Sequence, residues 1–311
     1  MNGGDRLAVV PVRHGALPAG SLETVAECEG QALLVGSAPD PTSLAGVAST
    51  VTTVELGAFR PARWADELAR HLGRWRVVVL PACPDGRDLA PRLAHRLGRD
   101  LLAAATHVGS DRVTLARDGG LTLVDRAIDA PVVVTLLPGA RGVPSVEPSR
   151  TLATHVLDPS VATSRGHPVE PTLVDEVAAD PATIDLSEAG RVVVGGGGLD
   201  SPERLRQLAS VGAALDAAVG ATRVVTDRGW LGHQRQIGTT GVVIAPALYL
   251  AFAVSGAVQH TAGIGAPAHV VSVNTDPYCP MMALADLAVV SDANAVVEEL
   301  HRLLVGAGRG G

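Results

Sequence analysis

Short, continuous runs of apolar residues recur along the whole chain and constrain its fold more than any other feature. They are rich in valine, and most of them do not alternate with polar residues. Strands that are covered on both faces, as in parallel sheets, have this pattern. The runs that stand out are 7–12, 32–36, 76–82, 132–137, 191–195, 222–227, 269–274 and 287–292.

Helical patterns separate these runs. Apolar residues recur at three-to-four spacing in 90–105 and 201–219, and 293–306 is typical of a final helix. Alternating strands and helices predict an α/β fold, and the length of 311 residues suits two domains. A stretch rich in Pro, Ser and Gly ends near 181–190, which predicts domains at 1–188 and 189–311. Gly119 and Gly120 predict a hairpin turn.

Composition excludes several classes of protein. The net charge is −7 and lysine is absent, so broad binding to nucleic acid or to anionic membranes is not expected. The three cysteines are scattered, which supports neither a zinc site nor a disulfide framework and fits a reducing cytoplasm. No apolar run reaches the roughly 18 residues of a membrane span, and the first residues lack the pattern of a signal peptide.

A glycine-rich turn follows the run at 191–195. Gly195 to Gly198 precede a helix that Asp200 or Ser201 is expected to cap. Glycines allow close approach of a ligand, and the N-terminus of a helix favours anions. The spacing does not fit the dinucleotide motif G-x-G-x-x-G, so a plain strand-to-helix turn is the alternative.

Two polar segments follow. Thr222 and Arg223 are predicted to begin a strand, where a buried guanidinium needs an anion or a polar π system. The alternative is an arginine that reaches solvent. The segment 234–241 offers Thr239 and Thr240 between glycines, and its alternative is a simple turn.

Gln259 and His260 stand in a segment that is otherwise rich in glycine and alanine. Ser255 is predicted to cap a helix there, and the alternative for His260 is a buried ring that bonds a backbone carbonyl. Further polar residues follow the later runs, at 274–276 and 291–292. Because ligands bind beyond the carboxyl ends of strands in open α/β sheets, these segments together predict a nucleotide site. Asp292 has the alternative of capping the last helix.

Residues 185–292 resemble the FAD domain of the electron transfer flavoprotein alpha subunit, the FixB group. The resemblance rests on "RVVVGGGGLDS", "GATRVVTDRGW", "QIGTTG", "SGAVQHTAGI" and "VVSVNTDPYCP" in that order. More loosely, "LPACPDGRDLAPRLAHRLG" is similar to the first domain of that family. The resemblance implies a nucleotide-hydrolase-like N-terminal domain that contacts a partner subunit, and a doubly wound C-terminal domain that binds FAD.

The resemblance also implies roles for individual residues. Arg223 is expected over the flavin ring, Thr240 near N5, and His260 at the pyrimidine carbonyl, where a donor favours negative charge. Asn274 and Asp292 are expected on the phosphate and adenosine side. The implied FAD-binding residues are Gly197, Gly198, Thr222, Arg223, Gln236, Gly238, Thr239, Thr240, Ser255, Gly256, Gln259, His260, Asn274, Asp276, Ser291 and Asp292.

The sequence departs from the family pattern at three positions. Gly197 replaces an arginine, Thr239 replaces a glutamine and Thr275 replaces a lysine. A charge-assisted hydrogen bond contributes about 1.5–3 kcal/mol, so these changes are expected to weaken FAD binding or to change its potential. They suggest a divergent branch, for which an association with mycofactocin-dependent dehydrogenases is one prediction.

The resemblance implies an electron carrier rather than an enzyme. Its partners are a beta subunit, a donor dehydrogenase and a membrane quinone-linked acceptor, and its location is the cytoplasm. No acid–base pair or nucleophile motif is evident in the sequence. Two alternatives stay open: an NAD(P)-binding oxidoreductase domain, and a structural partner of a beta subunit that has lost its flavin.

Overall fold

A computed structural model describes residues 5–118, 122–142, 152–158, 170–171, 174, 184–265 and 267–306. The chain divides into two compact units, Met1–Glu176 and Val177–Gly311. They are called unit 1 and unit 2 below. The more specific domain boundary between residues 188 and 189 stays a prediction.

Unit 1 is built on one large sheet. Its described strands are β1 (Arg6–Val12), β2 (Gln31–Gly36), β3 (Thr50–Glu55), β4 (Val77–Pro81), β5 (Asp100–Val108), β6 (Arg112–Arg117), β7 (Thr122–Ala127), β8 (Val132–Leu136) and β9 (Ala153–Val156). They lie in the order β7-β6-β5-β8-β4-β1-β2-β3-β9. The pairs β5–β6 and β6–β7 are antiparallel, and the remaining pairs are parallel.

Helices cover this sheet: α1 (Ser21–Glu27), α2 (Pro61–Leu72) and α3 (Pro84–Leu97). The helix predicted over 90–105 is only partly correct. The left-handed backbone of Gly98, with φ of 62°, ends α3, and the next residues pair with β8 as strand β5. The predicted turn at Gly119 and Gly120 lies outside the described residues.

Unit 2 has a second, fully parallel sheet. Its described strands are β10 (Arg191–Gly195), β11 (Ala218–Ala221), β12 (Leu248–Phe252), β13 (His269–Asn274) and β14 (Leu287–Val290), in the order β11-β10-β12-β13-β14. The helices are α4 (Pro202–Ala214), α5 (Arg223–Asp227), α6 (Val258–Thr261), α7 (Pro280–Ala283) and α8 (Ala293–His301).

The continuous apolar run of β10 is explained by burial on both faces. Val192 and Val194 belong to one hydrophobic cluster, with Met281 and Met282. Val193 belongs to the cluster on the other face, with Leu208 of α4. The predicted doubly wound α/β fold is therefore confirmed.

The strand predicted at 222–227 is wrong. The strand of this region is β11, which ends directly before the predicted segment and pairs with β10 over Ala218–Ala221. The chain then turns at Thr222, whose carbonyl accepts the N–H groups of Val225 and Thr226, and α5 begins at Arg223. Val225 is buried while Val224 is exposed, so the two valines lie on different sides of a short helix.

None of the helices in the described ranges is long and apolar enough to cross a lipid bilayer.

Candidate functional site

A cavity of about 650 Å³ lies at the carboxyl edge of the unit 2 sheet. The turns after β10, β11 and β12 contribute to its wall, together with the segment 236–240 and the start of α6. After β10 the chain forms β11 on one side of it and then β12 on the other side. The two connections leave β10 in opposite directions, so a crevice forms between β10 and β12. This switch point is where open α/β sheets bind ligands.

The structure brings most of the predicted site residues to this cavity. Its wall includes Gly197, Gly198, Thr222, Arg223, Gln236, Gly238, Thr239, Thr240, Ser255, Gly256, Gln259 and His260. They come from four separate sequence segments. The cavity also has apolar lining that the sequence did not single out: Val224, Ile237, Ala253 and Ala257.

The turns after β10 and β12 approach each other closely. A Cβ at Gly196 would lie 1.9 Å from the carbonyl oxygen of Ala253, so this position needs glycine. Ala253 itself has a φ of 55°, which is uncommon for alanine. Backbone held in such a region is often found at binding sites.

Gln236 is buried and fixes the polar side of the cavity. Its Oε1 lies 2.6 Å from the hydroxyl of Thr226 and 3.1 Å from Nδ1 of His233. Its Nε2 lies 2.9 Å from Oγ1 of Thr240. The side chain is therefore used within the protein, and its main effect on the cavity is through Thr240.

His260 is buried, and both of its ring nitrogens have protein partners. Nδ1 donates to the carbonyl oxygen of Ile237 at 3.0 Å, and Tyr249 Oη donates to Nε2 at 2.7 Å. Burial lowers the pKa of the imidazole, which favours its neutral form. This arrangement leaves no ring N–H to donate into the cavity, which contradicts the role implied for His260 and matches the ordinary alternative.

Two further expectations for this region are corrected. Ser255 does not cap a helix, because α6 begins at Val258 with Ala257 at its N-cap and no side-chain cap. Arg223 is not buried in a strand. Its side chain is 71% exposed, and its Nε lies 3.3 Å from Oδ2 of Asp227, four residues later in the chain.

Comparison with known proteins places these observations in a family. The model of the electron transfer flavoprotein domain matches residues 19–162, and the model of the electron transfer flavoprotein FAD-binding domain matches residues 185–265. The alpha subunit of the electron transfer flavoprotein of Syntrophomonas wolfei is 34% identical over 221 residues, which cover 70% of this chain and 68% of that protein.

The chain belongs to the electron transfer flavoprotein alpha-subunit family. The alpha subunit of Mycobacterium leprae is 33% identical over 227 residues, covering 72% of this chain and 70% of that protein. Protein FixB of Bradyrhizobium diazoefficiens is 33% identical over 270 residues, covering 82% of this chain and 71% of that protein. The cofactor of the matched electron transfer flavoprotein domain is FAD.

The cavity of this family member fits a flavin nucleotide. Its volume of about 650 Å³ is typical of small-molecule sites. Thr222 lies in its wall, and the hydroxyl oxygen of this residue is buried without a hydrogen-bond partner among the described residues. Because buried polar atoms are rarely left unpaired, this oxygen suits a polar ligand. Arg223 is the one guanidinium that lines the cavity within the described part of the chain.

The remaining predicted residues do not line the cavity. Asn274 donates from Nδ2 to the carbonyl of Val254 and accepts the N–H of Asp276, so it holds the turn after β12. Ser291 donates its backbone N–H to the carbonyl of Asn274. Asp292 caps α8 by accepting the N–H of Asn294, which was its structural alternative.

Sequence reasoning missed two side chains that support the glycine turn. Arg228 donates to the carbonyl of Gly197 at 3.1 Å and stacks on Trp230. Asn294 donates to the carbonyl of Gly198 at 3.2 Å and accepts the N–H of Asp200. Arg228 stands within "GATRVVTDRGW", a segment that carries the resemblance, but the sequence assigned this arginine no role. Asn294 follows the turn by almost a hundred residues, and no local pattern indicates the contact.

Proposed function

We propose that this protein carries FAD as the alpha subunit of a heterodimeric electron transfer flavoprotein. In this role it takes electrons from a dehydrogenase and delivers them to a membrane quinone-linked acceptor, without turning over a substrate of its own. The main support is the convergence of four sequence segments on one cavity at the switch point of a sheet, in a chain that matches an electron transfer flavoprotein FAD-binding domain.

When bound, FAD supplies the redox chemistry, while the protein supplies binding and electrostatics. Arg223 adds a positive charge at the cavity, which favours a reduced, anionic ring. Thr240 offers a hydroxyl, and the apolar wall of Ile237 and Ala253 limits water. The hydroxyl of Thr222 is available for a hydrogen bond to the cofactor.

The test is co-expression with an electron transfer flavoprotein beta subunit from the same genome. We expect a yellow heterodimer whose flavin absorbance bleaches with dithionite. A folded heterodimer that stays colourless with excess FAD would overturn the proposal and favour a scaffolding role. A complex that binds NADH but not FAD would favour the pyridine nucleotide alternative.

Arg223→Ala should lower the flavin reduction potential, because it removes the one guanidinium that lines the described cavity. The matched control is Arg206→Ala, since Arg206 is an exposed arginine of α4 whose ion-pair partner Glu203 lies on the same helix. Equal potentials in wild type and Arg223→Ala would contradict the assigned role. The identities of the partners and the mycofactocin association stay proposals, which purification of the complex with its donor would test. The cytoplasmic location also stays a proposal.

A further inference from the structure

A hydrogen-bonded chain runs from solvent to the cavity through a buried amide. His233 is exposed, and its Nδ1 lies 3.1 Å from Oε1 of Gln236. The Gln236 side chain is buried, with the residue only 2% exposed. On the other side its Nε2 lies 2.9 Å from Oγ1 of Thr240, which lines the cavity. An exposed histidine is thus connected to a hydroxyl at the cavity by one buried side chain.

The direction of hydrogen bonding along this chain decides what Thr240 presents to the cavity. When Gln236 donates from Nε2, the hydroxyl oxygen of Thr240 accepts, and its hydrogen is free to donate into the cavity. If the amide turns by 180°, its oxygen faces Thr240 instead. The hydroxyl hydrogen then points at Gln236, and the cavity meets only oxygen lone pairs.

The surroundings of the amide satisfy both orientations. In the structure, the Thr226 hydroxyl donates to Oε1 of Gln236 at 2.6 Å. The same hydroxyl also lies 2.9 Å from the carbonyl oxygen of Arg223. Thr226 can therefore donate to that carbonyl and accept from Nε2 when the amide is turned. Thr226, Gln236 and Thr240 therefore each have a hydrogen-bond partner in either orientation, so His233 decides between them.

We propose that His233 is a positioning residue, which through Gln236 sets the direction of the Thr240 hydroxyl at the cavity. A protonated imidazole can only donate, so it holds Oε1 towards itself and leaves Thr240 as a donor into the cavity. A neutral imidazole can accept at Nδ1, which permits the turned amide. The direction of the Thr240 hydroxyl therefore depends on whether Nδ1 of His233 donates or accepts.

The elements next to His233 differ in the charged groups that they carry. The strand β11, which packs beside this turn, carries no titratable group. At the end of α5, Asp227 pairs with Arg223, and Arg228 bonds the carbonyl of Gly197. Arg235 stands on the same turn as His233. The pH response is therefore assigned to His233 rather than to a neighbouring carboxylate.

The first test follows the side-chain amide of Gln236 by ¹⁵N NMR in the full chain, between about pH 5 and 8. The signal is assigned by its loss in Gln236→Glu. We expect it to shift with pH in wild type and to stay fixed in His233→Leu. The matched control, His269→Leu, removes an exposed histidine at the opposite end of β13 from the cavity. It should keep the wild-type shift.

The second test measures the flavin reduction potential of the FAD-loaded heterodimer across the same pH range. The difference between His233→Leu and wild type should depend on pH, and Thr240→Val should abolish that dependence. A Gln236 signal that ignores pH, or that shifts equally in wild type and His233→Leu, would overturn the inference. Only the meaning of the hydroxyl for FAD rests on the proposed function. The NMR test needs no flavin. A failure to bind FAD would therefore refute the proposed function, while the NMR result would still decide whether His233 orients Gln236.

Discussion

The hydrogen bond between Tyr249 and His260 should contribute measurably to the stability of unit 2. Tyr249 is fully buried in β12, and its hydroxyl is the partner of Nε2 of the buried His260. Tyr249→Phe keeps the ring but leaves that nitrogen without a donor. An unsatisfied buried group costs about 1–3 kcal/mol, so the free energy of unfolding of unit 2 should fall by about this amount.

Hydrogen exchange is the suitable assay, because it reports unit 2 separately from unit 1. Peptides that contain β10 and β12 lie at the centre of the unit 2 sheet, so their slowest amides report its global opening. A loss of about 1–3 kcal/mol corresponds to exchange that is about 5- to 150-fold faster. Peptides of β1 and β4 in unit 1 should exchange as in wild type.

Tyr278→Phe is the matched control, since the protein has two tyrosines and Tyr278 is 91% exposed. It removes the same hydroxyl from a position where water replaces the hydrogen bond, so exchange should not change. The reasoning would be refuted if Tyr249→Phe behaved like Tyr278→Phe. That result would mean that the imidazole is not held by the tyrosine.

Three other outcomes are expected. Burial lowers the folded pKa of His260 below its unfolded value of about 6.5. Below that pH the unfolded state binds more protons, so unit 2 should lose stability as the pH falls. Urea titrations at stepped pH measure this loss, and His260→Gln should make the stability of unit 2 less dependent on pH. Gly196→Ala forces a Cβ onto the Ala253 carbonyl and should cost about 1–3 kcal/mol in thermal unfolding, whereas Gly190→Ala, with open space at its Cβ, should not. Burial raises the pKa of the Cys28 thiol, so iodoacetamide should alkylate it only on unfolding, and rapid native labelling followed by mass spectrometry would contradict its burial.

Some of the strands that could be predicted from sequence have two buried faces. In β10 and β13, valines contact clusters on both sides of the sheet, and their apolar runs are therefore continuous. The segment 222–227 also contains adjacent valines, but its residues Arg223–Asp227 form α5. What decides its structure is pairing: Ala218–Ala221 already occupies the place beside β10. The two adjacent segments compete for the same place beside β10. Because β10 lies much earlier in the sequence, the local pattern of apolar residues does not show which segment pairs with it.

The site was predicted better as a set of segments than as a set of side-chain roles. Strand ends of a parallel sheet meet at one edge, so the segments around Gly197, Thr222 and Ser255 converge on the cavity. The role of a side chain depends instead on which hydrogen-bond partners its polar atoms have in the folded protein. The ring of His260 bonds Tyr249 and Ile237, contacts that only the folded structure reveals.

The ion pair between Arg223 and Asp227 has a consequence for ionic strength. Both side chains are largely exposed and their charges are 3.3 Å apart, so separating them costs little, typically below about 1 kcal/mol. Dissolved salt screens exposed charges. It therefore weakens the ion pair of Arg223 with Asp227, and it also weakens the attraction of Arg223 to an anion in the cavity. These opposing contributions should make the affinity of unit 2 for an anionic ligand less sensitive to salt than an unpaired arginine would allow.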